Sequence, residues 1–166
     1  LLFSKRPPLR LLQEGCVMNF LSTLFRKDKK IAFLDGDQAL GGILAIHKKY
    51  LIGTETHLIR LLSGDARPPR CLDGTDDINK IYLRGYATGK EVADKFIGAY
   101  IQKSIHDGYT DITVVSSDYD FIDIFKMAML LNPKAKNLNF RIIVPNAQGK
   151  LKEAPERIAN IEIVRN

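Results

Sequence analysis

Two short apolar runs end in carboxylates. Ile31 to Leu34 leads into Asp35-Gly36-Asp37-Gln38, and Ile112 to Val115 leads into Ser116-Ser117-Asp118-Tyr119-Asp120. A continuous apolar run bounded by turn residues reads as a strand buried on both faces. Asp35, Asp37, Asp118 and Asp120 therefore stand where buried strands end, and they share one sheet edge if the two strands are neighbours. Crowded carboxylates repel one another unless a divalent cation offsets their charge, and Mg²⁺ or Mn²⁺ prefers hard oxygen ligands. Such an ion can activate water and hold the attacking and leaving oxygens of a phosphodiester, so hydrolysis of nucleic acid is the chemistry this residue set suits.

Each acid also has a plainer explanation. Asp is a favoured turn and N-cap residue, so Asp120 can cap the helix that follows it and Asp37 can shape its own turn. Asp94 falls in the second turn of a helix opened by a Thr88/Glu91 capping box, beyond the helix dipole's best reach, and can pair with Lys90 on the surface. Asp123, one turn after Asp120, reads as an exposed helix residue. Asp35 and Asp118 resist such explanations best, because a buried strand ends at each.

The elements that must position these residues follow from periodicity and punctuation. A strand over 31–35 feeds a helix over 39–50 stopped by Gly53, and a second strand over 57–62 completes a β-α-β unit. Residues 63–77, dense in Gly, Pro and Asp, read as an exposed loop, with a short strand at 81–83. The capped helix runs to about residue 107 and Gly108 ends it. A strand over 111–116, a helix over 120–131 stopped by Asn132-Pro133, and strands at 140–144 and 161–164 complete the chain. Alternating strands and helices predict an α/β fold, a three-layer α/β/α sandwich with a mainly parallel central sheet and ligands at the carboxyl ends of its strands.

Length and charge narrow the class. A chain of 166 residues, 45% hydrophobic, suffices for one domain with a full core. Cys16 and Cys71 lie far apart without metal-ligand spacing, which excludes a disulfide framework or zinc motif and suits a reducing, cytoplasmic compartment. No run approaches the ~20 apolar residues of a membrane span, so we expect a soluble protein with no membrane partner. Of the net charge of +6, residues 1–30 carry +5, from seven Lys/Arg against Glu14 and Asp28. The basic signal thus belongs to an N-terminal arm, residues 1–29, expected to be flexible; its first 17 residues precede the first methionine and read as an upstream misread, a tag or a tail. The arm is either a solvated tail or a lure for phosphate backbones. The globular part spans 30–166.

The set FLDGDQ (33–38), KEVAD (90–94) and VVSSDYDF (114–121), in this order and spacing, resembles the NYN branch of the PIN-like nuclease superfamily across roughly residues 31–145. The resemblance implies a PIN-like fold and a metal-dependent ribonuclease in which Asp35, Asp94, Asp118 and Asp120 are the catalytic acids and hold Mg²⁺ or Mn²⁺, with Ser116 and Ser117 as the small residues before the second pair. Its partner would be RNA, single-stranded or structured, and a homodimer is compatible with it. Two positions depart from the pattern: Gln38 stands where the family usually has Asn, and Tyr100 where some members carry a second helix Asp. For substrate contacts the chain offers Asp37, Gln38, Ser116, Ser117, Lys90 and Arg84, with Lys95 and the Arg67–Arg70 loop nearby; Lys90 sits near a helix N-terminus suited to phosphate.

Two other readings compete. FLDGDQ also resembles the DxD opening of haloacid-dehalogenase-like phosphohydrolases, with Asp35 as nucleophile and Asp37 as general acid. Against this, the chain is short and lacks a lysine at a strand end to neutralise phosphate. The third reading is a non-catalytic RNA-binding or interaction module that keeps a PIN-like fold; the Gln38 and Tyr100 departures favour it. Gly85–Lys90 is one residue short of a P-loop. His47, His57 and His106 are scattered and suit exposed or helix-terminal roles rather than a triad.

Overall fold

A computed structural model describes residues 28–38, 40–84, 91–146 and 150–166. The basic arm up to residue 27, the incomplete P-loop and Lys90 lie outside the described residues. So does Thr88, and with it the proposed capping box.

The apolar runs become strands: β1 (Lys30–Asp35), β2 (Glu55–Leu61), β3 (Ile78–Leu83), β4 (Asp111–Val115), β5 (Asn139–Val144), β6 (Arg157–Ile158) and β7 (Ile161–Arg165). They form one seven-stranded sheet in the order β3-β2-β1-β4-β5-β7-β6. Every pairing is parallel except that of β6 with β7. The helices are α1 (Leu40–Tyr50), α2 (Val92–His106), α3 (Asp120–Leu131) and the short α4 (Lys150–Glu153).

Alternation along each strand sorts the core onto two sides. Phe33, Ile59, Ile112, Val114, Phe140 and Ile142 pack with α2 and α3 residues in one cluster, whereas Ala32, Leu34, Leu58, Val115 and Ile143 pack with Ile43 and Ile46 of α1 in another. Successive residues of β1 thus supply opposite faces, which only a strand covered on both sides can do without exposing apolar surface. Phe125 and Phe140, both buried, meet with ring centroids 4.7 Å apart.

Several expected boundaries need correction, among them β2, which runs Glu55–Leu61 and not 57–62. β3 begins at Ile78, not residue 81, because it pairs with β2 along its whole length, from Thr56↔Ile78 to Leu61↔Leu83. Within the 63–77 loop a 3-10 turn, Arg70–Leu72, buries Leu72. Asn132-Pro133 does stop α3, but a further 3-10 turn follows over Pro133–Asn137. Helix α2 starts at Val92 with Glu91 as its N-cap, so Asp94 lies in the first turn, not the second, where the helix dipole favours an acid. No described helix is long and apolar enough to cross a membrane.

Candidate functional site

The chain lays β1, β2 and β3 outward in one direction, then crosses back to place β4 on the other side of β1. That reversal opens a crevice outside the carboxyl ends of β1 and β4, the usual ligand site of an open parallel sheet. Leu34 is registered against Val115, so Asp35 and the Ser116–Asp120 segment emerge side by side.

Asp35 is buried, 2% exposed, and both carboxylate oxygens are engaged. Ser116, fully buried, donates its hydroxyl to Asp35 Oδ2 at 2.8 Å, and the backbone N–H of Asp37 donates to Oδ1 at 3.2 Å. Burial pushes the Asp35 pKa up; the Ser116 and Asp37 hydrogen bonds and the Gln38 side chain pull against it, while the Asp37 charge adds to the rise. The Ser116 Oγ also accepts the Asp118 N–H at 3.1 Å, so one hydroxyl ties the end of β1 to the turn after β4.

Asp118 and Asp37 have structural duties as well. Asp118 Oδ1 accepts the Asp120 N–H at 3.0 Å and closes the turn into α3. Asp120 is the first helical residue and not the cap; Tyr119 holds the cap position without a side-chain hydrogen bond. The Asp37 carboxylate accepts the Leu61 N–H at 3.2 Å, so it ties the turn to β2, while the turn itself is closed by Asp35.

Asp94 reaches the same region from the first turn of α2. Its pKa is raised to about 7, first by burial and then by the charges of Asp35, Asp118, Asp120 and Asp37. Five carboxylates from two strand ends and two helix starts therefore share one electrostatic field. Among the described residues, no group of three or more His, Cys, Asp and Glu side chains is already arranged to hold a metal ion. The donor chemistry is of the kind such an ion takes: all five are hard oxygen donors, and the Asp94 pKa is raised by burial and by the charges of the other four.

No family model, curated protein or solved structure matches the chain.

The substrate candidates are dispersed. Arg84 donates to Gly64 O and Ala66 O, both at 2.8 Å, and straps the loop after β2. Lys95 pairs with Glu91 at 3.1 Å on the solvent face. Ser117 is half-buried beside Ser116, and Arg67 and Arg70 lie exposed on the 63–77 loop. Tyr100 packs its ring near Phe33 and His57, at centroid distances of 6.0 and 6.4 Å. His57 therefore sits in a strand among aromatics, and His47, expected to be exposed or helix-terminal, is buried in the last turn of α1.

One residue escaped the sequence reading. Arg60, next to the end of β2, donates Nη1 to Gly36 O at 2.8 Å and braces the turn that carries Asp35 and Asp37. Its signal was a lone cation in the apolar run Leu58-Ile59-Arg60-Leu61-Leu62.

A raised carboxylate pKa fixes the sign of a pH effect. The folded state binds the Asp94 proton more tightly than the unfolded chain, so this contribution is full below 3.8 and is lost as pH rises towards 7. Asp35, also raised, acts in the same direction. Without divalent ions, the thermal midpoint should fall between pH 5 and pH 8. Asp94→Asn should flatten that fall and raise the pH 8 midpoint, by roughly 2–4 °C per kcal/mol recovered. Calorimetry at the two pH values checks this; a midpoint that rises with pH in the parent protein would refute it.

Proposed function

We propose that this protein is a metal-dependent ribonuclease with a three-layer, PIN-like α/β/α fold, working in a reducing compartment such as the cytoplasm. The observation that carries the reading is the shared field of Asp35, Asp94, Asp118 and Asp120 at the switch point of the sheet, felt most strongly at Asp94. Those four residues would hold Mg²⁺ or Mn²⁺. A bound ion there supplies Lewis acidity and a lowered pKa for water.

The chain's own residues supply position and protonation. Ser116 holds Asp35 in one orientation and keeps the turn to Asp118 closed on it. Asp94, its pKa raised to about 7 by burial and the neighbouring acids, would give up its proton as a divalent cation binds beside it. Asp37 and Gln38 follow Asp35 in the turn after β1 and would be the first residues there to meet an RNA strand. A second reading, a non-catalytic RNA-binding module, draws on the Gln38 and Tyr100 departures, Tyr100 being packed near Phe33 and His57.

The test is incubation of the full chain with labelled single-stranded RNA and Mn²⁺ or Mg²⁺, with EDTA and a phosphomonoester as parallel arms. The nuclease reading expects RNA cleavage that EDTA stops. Phosphate released from the monoester alone would replace it with a phosphohydrolase, and binding without cleavage would replace it with the module.

A further inference from the structure

An RNA strand is a row of negative phosphates, and a crevice of carboxylates repels it. A divalent ion offsets that charge only where it sits, so a phosphate to either side requires a cation from the chain. Two cations that the sequence offers for this are already engaged: Arg84 on Gly64 O and Ala66 O, and Lys95 on Glu91.

Arg60 is placed differently. It stands at the carboxyl end of β2, one position past Ile59, which is registered against Asp35. Its Nη1 donates to Gly36 O at 2.8 Å, which sets the guanidinium against the turn between Asp35 and Asp37. Among the described residues that carbonyl is its one acceptor: the buried Nε has none, and no described carboxylate forms an ion pair with Arg60. The Asp37 carboxylate, next along the turn, is taken by the Leu61 N–H. Tyr82, registered against Arg60 on β3, feels the unpaired charge: burial raises its pKa, and Arg60 is the largest influence pulling it back.

A guanidinium has five N–H donors in a fork that matches phosphate, and it stays charged at every working pH. Bracing Gly36 uses one donor and needs no charge. A half-buried cation without a counter-ion also costs stability, which an arriving anion offsets. We propose that Arg60 is a substrate-binding residue, holding an RNA phosphate beside the metal site so that the strand crosses the carboxyl ends of β2, β1 and β4. The identity of this ligand rests on the ribonuclease reading above.

The test is titration of a labelled single-stranded RNA with the full chain, in EDTA to keep metal-dependent cleavage off, over a series of KCl concentrations. Each phosphate contact to a single strand adds about 0.7 to the slope of log affinity against log salt. Arg60→Gln should weaken binding at least about five-fold at low salt and reduce the slope by about 0.7. Arg60→Lys should keep the slope. Lys103→Gln removes the same charge at the far end of α2, where Lys103 pairs with Asp107, and should change neither quantity. A purely structural Arg60 would instead lose affinity in both Arg60 variants with the slope unmoved. That result, an equal loss of slope in Lys103→Gln, or no RNA binding by the parent protein would overturn the proposal. Cleavage in Mn²⁺ separates the two claims. A parent that cleaves while Arg60→Gln keeps the full slope loses the Arg60 subsite alone; binding through Arg60 without cleavage supports the subsite and removes the nuclease.

Discussion

Replacing Asp118 by Asn should lower the rate of metal-dependent RNA cleavage at least about 100-fold, the upper end of what removing even an outer partner of a metal ligand costs. The fold should survive. Asn keeps an oxygen that can accept the Asp120 N–H, as Asp118 Oδ1 does at 3.0 Å, so the turn into α3 remains closed. Removing one charge from a crowded acidic field also relieves repulsion on Asp94, so the thermal midpoint at pH 8 should hold or rise. Asp118→Ala separates the two roles, because it loses the turn acceptor as well and should cost about 0.5–1.5 kcal/mol of stability. Cleavage rate and thermal midpoint, measured on both variants, check the assignment. An Asp118→Asn protein that cleaves RNA at the parent rate would remove Asp118 from the site.

Gly36→Val should destabilise the protein by about 3 kcal/mol, a large part of the 5–15 kcal/mol that holds an ordinary domain together. Gly36 follows Asp35 and donates its N–H to Ile59 O at 2.7 Å. A Cβ at this position would lie 2.7 Å from that same carbonyl oxygen, 2.7 Å from Arg60 Cβ and 3.3 Å from Arg60 Cα. The obstacle is backbone, so relief requires β1 and β2 to part beside the Asp35 turn. Gly41→Ala is the matched control: nothing stands within 4 Å of its added Cβ, and in the first turn of α1 the change should leave stability unchanged or raise it by less than about 1 kcal/mol. Denaturant unfolding of both variants decides it; a Gly36→Val midpoint equal to that of the parent would show that the turn yields freely.

The strands that carry the acids were legible because a strand buried on both faces leaves an unbroken apolar run, as in Ile112 to Val115. Helix α3 was read with its observed limits because Asp120 and Asn132-Pro133 punctuate it. The two-residue β6, the four-residue α4 and the 3-10 turns are too short to show any period, and β6 depends on its pairing with β7. Nothing in the sequence alone ordered β1 beside β4, on which the meeting of Asp35 with Asp118 depends. The double duties of Asp37 and Asp118, as acceptors for backbone N–H groups of β2 and of α3 and as members of the acidic field, are not revealed by residue type. The same holds for Ser116, a small residue in the motif that proves to join the two strand ends.

We propose that these carboxylates form one divalent-cation site. Its most direct test is calorimetric titration of Mn²⁺ into the full chain at pH 8, with Asp118→Asn alongside. Saturable binding to the parent protein, weakened at least ten-fold in the variant, is the expected result. No saturable binding, or equal binding to both proteins, would contradict it.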